Sequence, residues 1–428
     1  MNFCRELKFC RICGGEFEER SLRLKDSPLA NEIYSDHESS IAADIFPLEI
    51  VMCKSCSHIQ LRHIVSPERL FSNYVYASGT SSIFREHFQQ LAFRISQLVD
   101  GGKVLEIGSN DGTLLDFLHA EGFEVVGIEP SATLTEKCIQ RGLEVHTDFL
   151  DQALSIKLRA THKEFDVVVG NNVFAHIDDL PGAFRLVHNL LSAGGFFVFE
   201  VAHSLKMVNE LLFDTIYHEH MSYHSAHSLS KFIPEFGFEI LDIEEISMHG
   251  GSIRVICQKV KGKHLIRESS EAVKELCHRE VEAHLDTSSW MEDFEKRISE
   301  LKSATQNAIV AEGPNIQWLG YGAPAKAVTF INEFDLSDLG IIGIVDDNVD
   351  KQGNYLPRSG IRIISRSEMI TKLSEDEIES DLRCIVFPWN LTSEIVEKLV
   401  DFSKFQLELI WFLPEYKRMG IQSDNVNG

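Results

Sequence analysis

Val104-Leu-Glu-Ile-Gly-Ser-Asn-Asp-Gly112 is the stretch of sequence that decides the fold of this chain. A short apolar run leads into a glycine-punctuated turn, and Thr113-Leu-Leu-Asp-Phe-Leu118 follows with the apolar spacing of a helix. The pattern predicts a strand, a tight turn and the start of a helix. We expect Gly108 and Gly112 to let the backbone approach a ligand closely, because glycine has no Cβ atom.

The next apolar run predicts a second strand that ends in an acid. Glu124-Val-Val-Gly-Ile128 stops at Glu129, roughly twenty residues after the turn, where a carboxylate can accept hydrogen bonds from both ribose hydroxyls of an adenosine group. The turn itself is Gly-x-Asn-x-Gly, so Asn110 and Asp111 fill the space that the pyrophosphate of a dinucleotide would need. A carboxylate at this point favours a cationic ligand over a phosphate.

Together with Glu106, this pattern resembles the first motif of class I methyltransferases that depend on S-adenosylmethionine (SAM). The competing interpretation is a glycine turn in some other α/β sheet. Three more strands are predicted. Thr147-Asp-Phe-Leu150 closes the first of them, and the other two are Phe165-Asp-Val-Val-Val-Gly-Asn-Asn172 and Gly194-Gly-Phe-Phe-Val-Phe-Glu200. Strands that alternate with helices indicate a doubly wound sheet.

Composition narrows the class of protein. The chain has 428 residues, which predicts two or three domains. Its 41 basic and 65 acidic residues give a net charge of −24, which disfavours nucleic acids and anionic membranes as partners. The N-terminus lacks the apolar core of a signal peptide and no run reaches transmembrane length, so we expect a cytoplasmic protein whose cysteines are thiols or metal ligands.

Two cysteine pairs predict a structural zinc site. Cys10-Arg-Ile-Cys13 and Cys53-Lys-Ser-Cys56 each offer two thiolates, and together they complete a tetrahedral set. The alternative, a redox Cys-x-x-Cys motif, needs only one such pair in a thioredoxin-like setting. Four cysteine ligands leave the metal no open position for catalysis. His58 and His63 are expected to be surface or packing residues.

The densest run of chemical side chains follows the fifth predicted strand. Tyr217-His-Glu-His-Met-Ser-Tyr-His-Ser-Ala-His227 contains four histidines, two tyrosines and a glutamate. The order of its first residues is not His-Glu-x-x-His, so the zinc-protease motif is absent. Each histidine alone would be assigned to packing, but together they predict a platform for proton transfer and sugar binding.

A further α/β unit is predicted near the C-terminus. Gly320-x-Gly322-x-x-Ala325 fits a nucleotide-binding turn, and Ile341-Ile-Gly-Ile-Val-Asp346 supplies a second strand that ends in an acid. Either this unit binds a nucleotide, with Lys326 on a phosphate, or it is a Rossmann-like domain that has lost cofactor binding and forms a wall of the active site. We favour the wall.

The whole chain resembles one family, the sugar C-methyltransferases that add a branch methyl to nucleotide-linked 4-keto-deoxysugars. The motifs that carry the resemblance are the cysteine pairs, Glu106-x-Gly108-x-Asn110-Asp111-Gly112, Asn171-Asn-Val-Phe-Ala-His176, Tyr217-His-Glu-His220, Gly320-Tyr-Gly-Ala-Pro-Ala-Lys326, Asp346-Asp-Asn348 and Trp389-Asn390.

The resemblance implies an α/β fold with a class I methyltransferase sheet between two other domains. A zinc-binding domain would span residues 1–70, the methyltransferase domain 71–262, and a helical linker with a Rossmann-like domain 263–428. The implied cofactors are SAM and structural zinc. The implied partner is a dTDP-linked or similar keto-deoxysugar between the central and C-terminal domains. The chain is expected to be a monomer or small homo-oligomer.

The resemblance also implies the site residues. Tyr76, Tyr217, Glu219 and His220 would surround the sugar, with His220 as base, and Tyr74 is the alternative to Tyr76. His176 and Asn172 would complete the catalytic set. The residues expected to bind the cofactor are Glu106, Gly108, Asn110, Asp111, Gly112, Glu129, Pro130, Asp148, Phe149 and Asn171.

The implied reaction starts with removal of the proton beside the ketone, and the enolate then attacks the sulfonium methyl. Tyr217, Tyr76 or His176 would stabilise the enolate, and Glu219 would orient His220 or bind a sugar hydroxyl. The sequence leaves open methylation at C5 instead of C3, and a non-catalytic protein that binds SAM or nucleotide sugars. The acidic charge counts against an RNA methyltransferase.

Overall fold

The computed structural model describes residues 3–71, 82–260, 270–375 and 381–421. Tyr74 and Tyr76 therefore lie outside the described residues. No helix within these ranges combines the length and the apolar character needed to cross a bilayer. The predicted domain boundaries stay a prediction, but the described residues form three parts in the predicted order, a small β-rich part followed by two α/β parts.

The N-terminal part is a small β-rich unit around the cysteine pairs. Its elements are β1 (Cys4–Glu6), β2 (Leu22–Arg23), α1 (His37–Ile41), β3 (Glu49–Met52), β4 (Ile59–Leu61), β5 (His63–Val65) and α2 (Pro67–Phe71). Strands β1 and β5 pair with each other. The other three belong to a sheet whose fourth strand comes from far along the chain, as described below.

The central part is a seven-stranded sheet with helices on its faces. Its elements are α3 (Ser82–Ser96), β6 (Lys103–Ile107), α4 (Thr113–Ala120), β7 (Glu124–Ile128), α5 (Ala132–Gln140), β8 (Glu144–His146), α6 (Gln152–His162), β9 (Phe165–Asn171), α7 (Leu180–Leu190), β10 (Leu191–Ala202), α8 (Ser204–Asn209), β11 (Ser222–Tyr223), α9 (Ala226–Phe232), β12 (Phe238–Ile246) and β13 (Ser252–Lys259). The strand order is β12-β13-β10-β9-β6-β7-β8, and the strands from β10 to β8 are parallel.

The predicted strands are present, with one difference in extent. β9 is buried on both faces, as expected for a central strand of a parallel sheet. The third strand ends at His146, before Thr147, so residues 147–150 belong to the loop that follows it. Such an edge strand has a partner on one side only and ends where that pairing ends.

Strand β11 lies within the central part in sequence but pairs with the sheet of the N-terminal part instead of the seven-stranded sheet. It pairs antiparallel with β4, where Ser222 lies opposite Gln60, and becomes the edge of the sheet β11-β4-β3-β2. The chain thus returns from the central part to the cysteine-rich unit immediately after the segment Tyr217 to His220.

The C-terminal part is a second α/β unit. Its elements are α10 (Glu271–Glu282), α11 (Trp290–Glu312), β14 (Gln317–Tyr321), α12 (Ala325–Glu333), β15 (Ile344–Val345), β16 (Ile363–Ile364), α13 (Arg366–Glu375), β17 (Leu382–Val386), α14 (Thr392–Lys398), β18 (Leu407–Trp411) and β19 (Lys417–Gly420). The strand order is β16-β15-β14-β17-β18-β19, and all pairs except β18–β19 are parallel.

Trp389 connects this unit to the central part. Its indole Nε1 donates a hydrogen bond of 2.8 Å to the buried carboxylate of Asp214. Gly250, in the turn before β13, has a φ of +86°, and a Cβ atom built on it would overlap the Trp389 ring. The two parts are therefore packed as closely at this point as backbone against a ring allows.

We predict that Gly250→Ala destabilises the protein more than Gly313→Ala. Both glycines have nearly the same positive φ, +86° and +85°, but a Cβ atom at Gly313 meets nothing within 4 Å in the described ranges. The shared backbone strain costs about 1–3 kcal/mol, and the clash with Trp389 adds roughly 1–3 kcal/mol for Gly250 alone. Denaturant unfolding of both variants measures the difference, and equal losses would contradict the contact.

Candidate active site

The backbone of the turn after β6 requires glycine at two positions. Gly108 and Gly112 have φ values of +71° and +75°, which disfavour other residues. A Cβ atom on Gly108 would lie 2.5 Å from a methyl group of Val173, and one on Gly112 would lie 2.7 Å from the guanidinium of Arg141. Protein side chains thus pack against both glycines, and the close approach of a ligand to them stays a prediction.

A cavity lies over this turn at the carboxyl edge of the sheet. It is lined by Phe84, His87, Phe88, Glu106, Gly108, Ser109, Asn110, Asp111, Thr113, Leu114, Asn171, Asn172, Met248 and His249. Glu106 is buried, and its Oε2 atom has no hydrogen-bond partner among the described residues. Both side-chain amide atoms of Asn171 are in the same condition. Buried polar atoms without partners are rare in proteins, so these three atoms indicate a polar ligand.

Three acidic side chains lie at or near the cavity. Burial raises the pKa of Glu106 well above its usual value, and the nearby charges of Asp111 and Glu129 raise it further. A positively charged ligand would relieve this repulsion, whereas a phosphate would increase it. The cavity therefore suits a cation.

Glu129 supports the turn directly. Its carboxylate accepts hydrogen bonds from the backbone N–H groups of Asn110, at 3.0 Å, and Ser131, at 2.9 Å. Burial still raises its pKa, because these two bonds only partly replace water. Its own N–H group donates to the carbonyl of His146 at the end of β8, at 3.0 Å.

Three residues expected at the cofactor, Pro130, Asp148 and Phe149, are not among those that line the cavity. Pro130 is exposed, and Phe149 is 53% exposed. The carboxylate of Asp148 accepts a hydrogen bond of 2.9 Å from the N–H group of Phe149. The structure thus places these three residues in the loops after β7 and β8, and their contact with the cofactor stays a prediction.

The segment from Tyr217 to His220 presents a neutral imidazole. Nδ1 of His220 lies 2.8 Å from the carbonyl oxygen of Thr215, and the hydroxyl of Tyr217 lies 2.8 Å from Nε2. A carbonyl can only accept, so Nδ1 carries the proton and Nε2 accepts from the tyrosine. Burial lowers the pKa of His220 well below its usual value, so this form persists at neutral pH.

His176 is brought against His220, as the sequence predicted for residues of one site. The two ring centroids are 5.0 Å apart. Nδ1 of His176 donates to the carbonyl of Glu219 at 2.8 Å, and burial lowers the pKa of His176 to about 4. Asn172, which lines the cavity, has a φ of +56° and donates its N–H group to the carbonyl of Glu200.

Glu219 has a different environment from the one expected. Its Oε1 atom accepts a hydrogen bond of 3.2 Å from Asn31 of the N-terminal part, and burial raises its pKa to about 7. The carbonyl of Thr215, and not Glu219, orients His220. Oε2 of Glu219 is buried without a partner among the described residues, which leaves the second expected role, binding a ligand hydroxyl.

Two neighbouring groups were not predicted as site residues. His249 lines the cavity with a φ of +55°, and its ring packs 5.1 Å from that of Phe84. Lys326 lies 4.2 Å from the ring centre of Trp389, and burial lowers its pKa to about 8. For His249, the sequence feature that could have indicated a site is the pair of glycines that follows it. Lys326 was predicted only as a possible ligand of a phosphate.

The turn after β14, whose sequence fits a nucleotide-binding turn, is held by the acid that follows β15. The carboxylate of Asp346 accepts hydrogen bonds from the N–H groups of Ala323, at 2.7 Å, and Asn348, at 2.8 Å. The amine of Lys351 donates to the carbonyl of Ala323 at 2.8 Å. The acid after β15 thus holds this turn together in the same way as Glu129 holds the turn after β6, and the role of this unit as a wall stays a prediction.

The four predicted metal ligands come together. The sulfur atoms of Cys10 and Cys56 are 3.7 Å apart, and that of Cys13 lies 3.4 Å from Cys53 and 3.5 Å from Cys56. A tetrahedron with zinc–sulfur bonds of about 2.3 Å has sulfur–sulfur edges of roughly 3.8 Å. The cysteines therefore fit one zinc ion with no position left open. His58 is fully buried and packs against Phe232, as a packing residue does.

Comparison with known proteins agrees with this three-part organisation. Residues 10–71 match a family model described as a zinc binding domain, residues 81–243 a methyltransferase domain, and residues 247–414 a C-methyltransferase C-terminal domain. Together these matches describe a SAM-dependent C-methyltransferase. Along 98% of its length this C-methyltransferase is 28% identical to the C-methyltransferase NovU of Streptomyces niveus, and it covers 98% of that protein.

Other relatives match smaller parts of the C-methyltransferase. An uncharacterized methyltransferase of Bacillus pumilus is 29% identical over 28% of this chain and 58% of its own length. A protein of Pyrococcus horikoshii has a solved structure with a TM-score of 0.35 and 19% identity, covering 45% of this chain and 97% of its own. The N-methyltransferase NodS of Bradyrhizobium japonicum, solved with S-adenosylhomocysteine, has a TM-score of 0.33 and 16% identity, covering 43% and 90%.

We predict that Cys13→Ser removes bound zinc and lowers the thermal midpoint. The purified C-methyltransferase should contain about one zinc ion per chain, because binding to four thiolates contributes directly to folding. Cys4→Ser is the control, since Cys4 lies outside the sulfur cluster. Elemental analysis and calorimetry measure both effects, and full zinc content in the Cys13 variant would be inconsistent with this site.

We predict that Glu106→Gln stabilises the protein without SAM near pH 7.5 but weakens SAM binding about 10-fold or more. The raised pKa means that folded Glu106 keeps its proton while the unfolded residue loses it near about pH 4.3. Stability therefore falls as pH rises from there toward the folded pKa, and glutamine avoids this loss.

For the wild type, SAM affinity should rise with pH, because the carboxylate attracts the cation. In the Glu106→Gln variant this pH dependence should be smaller. Calorimetric titrations between about pH 5.5 and 8 measure it. Glu121→Gln, an exposed change at the end of α4, is the control. Unchanged affinity in the Glu106 variant would remove this residue from the cofactor site.

Proposed function

We propose that this C-methyltransferase transfers the methyl group of SAM to a carbon of a nucleotide-linked 4-keto-deoxysugar, with C3 as the expected position. The product would be a branched-chain deoxysugar. The observation that carries the proposal is the hydrogen bond of 2.8 Å between the Tyr217 hydroxyl and the unprotonated Nε2 of His220. A base and a donor so placed beside the cavity suit enolate formation and have no use in a protein that only binds.

His220 is the proposed base. A ketone at C4 acidifies the carbon next to it, and a neutral imidazole can take that proton. The bond from Nδ1 to the Thr215 carbonyl holds the ring in the tautomer whose Nε2 has a free electron pair. Because burial lowers the pKa of His220, the base is always available but weak, so the enolate itself needs stabilisation.

Tyr217 is the donor best placed for the enolate oxygen. A bound ketone would compete with His220 for its hydroxyl proton, and accepting that hydrogen bond would free Nε2 to take the carbon-bound proton. His176 is less suitable as a donor, because its Nδ1 already donates to the Glu219 carbonyl and its Nε2 therefore carries an electron pair. Tyr76, the third candidate, lies outside the described residues.

The cavity over the glycine turn is the proposed SAM site. The bound cofactor supplies a methyl group on a positively charged sulfur, which leaves as a neutral thioether when the new carbon–carbon bond forms. Glu106 and Asp111 would attract the cation, Asn171 would bind its polar groups, and Glu129 would accept the ribose hydroxyls. The full proposed set is Glu106, Gly108, Asn110, Asp111, Gly112, Glu129, Pro130, Asp148, Phe149 and Asn171.

The nucleotide part of the substrate, dTDP or a similar group, is proposed to lie between the central and C-terminal parts. Lys326 supports this position, because it is a buried amine at that boundary whose nearest bond is to the amide oxygen of Asn390, at 2.7 Å. Asp214, whose pKa burial raises to about 6, neutralises it incompletely. A diphosphate would satisfy a cation in this position.

Incubation with methyl-labelled SAM and a panel of dTDP-4-keto-deoxysugars tests the proposal. We expect label in one sugar, at the carbon beside the ketone, as shown by product mass and carbon NMR. Label at C5 would correct the position, and label in RNA or protein alone would overturn the substrate class. Tight SAM binding without transfer to any sugar would favour a binding protein.

We predict that His220→Asn lowers turnover by about 10²–10⁴-fold, because the variant lacks the imidazole proposed to take the carbon-bound proton. SAM affinity should change less than about 3-fold, since His220 is not part of the cavity lining. His119→Asn, an exposed change on α4, is the control. Near-normal methyl transfer by the His220 variant, measured with the same labelled SAM, would refute its role.

A further inference from the structure

Arg11 connects the zinc site to the site histidines. It lies between the zinc ligands Cys10 and Cys13, and its side chain is only 4% exposed. The guanidinium extends out of the N-terminal part and donates four hydrogen bonds to the central part. Their acceptors are the carbonyl oxygens of Ile177 at 2.9 Å, Asp178 at 2.7 Å and Met221 at 2.8 Å, and the hydroxyl of Ser222 at 2.5 Å.

The four acceptors have a common position in the sequence. Ile177 and Asp178 directly follow His176, whereas Met221 and Ser222 directly follow His220. Nη1 binds the first pair and Nη2 the second, so one planar group spans the two histidine segments. Neither histidine lies in a helix or strand. Two direct bonds also join their segments, from the N–H group of Ser222 to the carbonyl of Ala175 at 3.1 Å and from Nδ1 of His176 to the carbonyl of Glu219 at 2.8 Å, and Arg11 adds four more from one side chain.

The backbone of Arg11 is itself held in place. Its N–H group donates to the side-chain amide of Gln60, at 3.0 Å, and Gln60 lies on β4 opposite Ser222 of β11. Its neighbour Ile12 donates its N–H group to the sulfur of Cys10, at 3.4 Å, which ties this turn to the metal ligands. The guanidinium therefore projects from a rigid base.

A salt bridge does not explain these contacts. The nearest carboxylate oxygen, on Asp178, is 3.9 Å from Nη1 of Arg11, but 2.5 Å from the guanidinium of Arg5. Arg5, with 54% of its side chain exposed, takes the charge interaction, whereas Arg11 binds neutral oxygens. Such an array needs the planar fork of arginine, because a lysine amine cannot reach two separate pairs of acceptors.

We propose that Arg11 is a positioning residue that holds His176 and His220 at their working separation, and that zinc contributes to the reaction by fixing the turn from which Arg11 projects. This inference rests on the proposed role of His220. It concerns the placement of the two imidazoles, which can be observed in the protein alone. Its failure can therefore be distinguished from failure of the sugar assay.

The test compares Arg11→Met and Arg11→Lys with the control Arg5→Met in the full-length, zinc-loaded protein. Imidazole nitrogen and carbon NMR signals of His176 and His220 are assigned from His176→Gln and His220→Gln spectra. We expect both sets of signals to move in the Arg11 variants, with a smaller nitrogen shift difference as the fixed tautomer is lost. The Arg5 variant should keep the wild-type signals.

Kinetics separate positioning from general stability. With the substrate found by the panel assay, Arg11→Met should lower kcat about 10–100-fold, with the KM for SAM and the zinc content nearly unchanged. Arg11→Lys should recover part of the loss, because it keeps the charge and the length. Should neither variant fold, Ser222→Ala removes one acceptor and should shift the His220 signals alone. Wild-type signals for both histidines in any folded Arg11 variant would overturn the proposal.

Discussion

The pairing of β11 with β4 is the constraint on which the rest of the site depends. In sequence β11 belongs to the methyltransferase part, but it forms the edge of the cysteine-rich sheet. Strand pairing fixes register, because a shift of one residue would turn Ser222 to the opposite face. The Tyr217–His220 segment directly precedes this strand. The small domain therefore positions the proposed base, and the metal site becomes part of the active-site architecture.

Burial sets the protonation states of the site. Removing water disfavours the charged form of every group, so it lowers the pKa values of His176 and His220 and raises those of Glu106 and Glu219. The histidines are neutral because burial outweighs the bonds from Nδ1 to backbone carbonyls, which by themselves raise the pKa and fix the tautomer. The same desolvation prepares Glu106 for a cationic cofactor, since only an opposite charge makes its ionised form favourable there.

Local patterns in the sequence predicted much of this arrangement, and the failures are instructive. The turn after β6 and the cysteine pairs were correctly located, because spacing and periodicity are properties of neighbouring residues. The sequence could not show that Val173 and Arg141 pack against the two glycines, because only the fold brings them near. Nor could the sequence choose between the two roles predicted for Glu219, because its contact with Asn31 comes from a distant part of the chain.

By itself, the sequence determined the order of the three parts, the four zinc ligands, the acidic character of the cofactor site and the segment that carries the proposed base. Each of these follows from residue type and spacing over short stretches. The tertiary structure decided which tautomer His220 adopts, which groups stay neutral, and that Arg11 reaches both histidine segments. These features depend on desolvation and on hydrogen bonds between residues far apart in the chain, which no local pattern encodes.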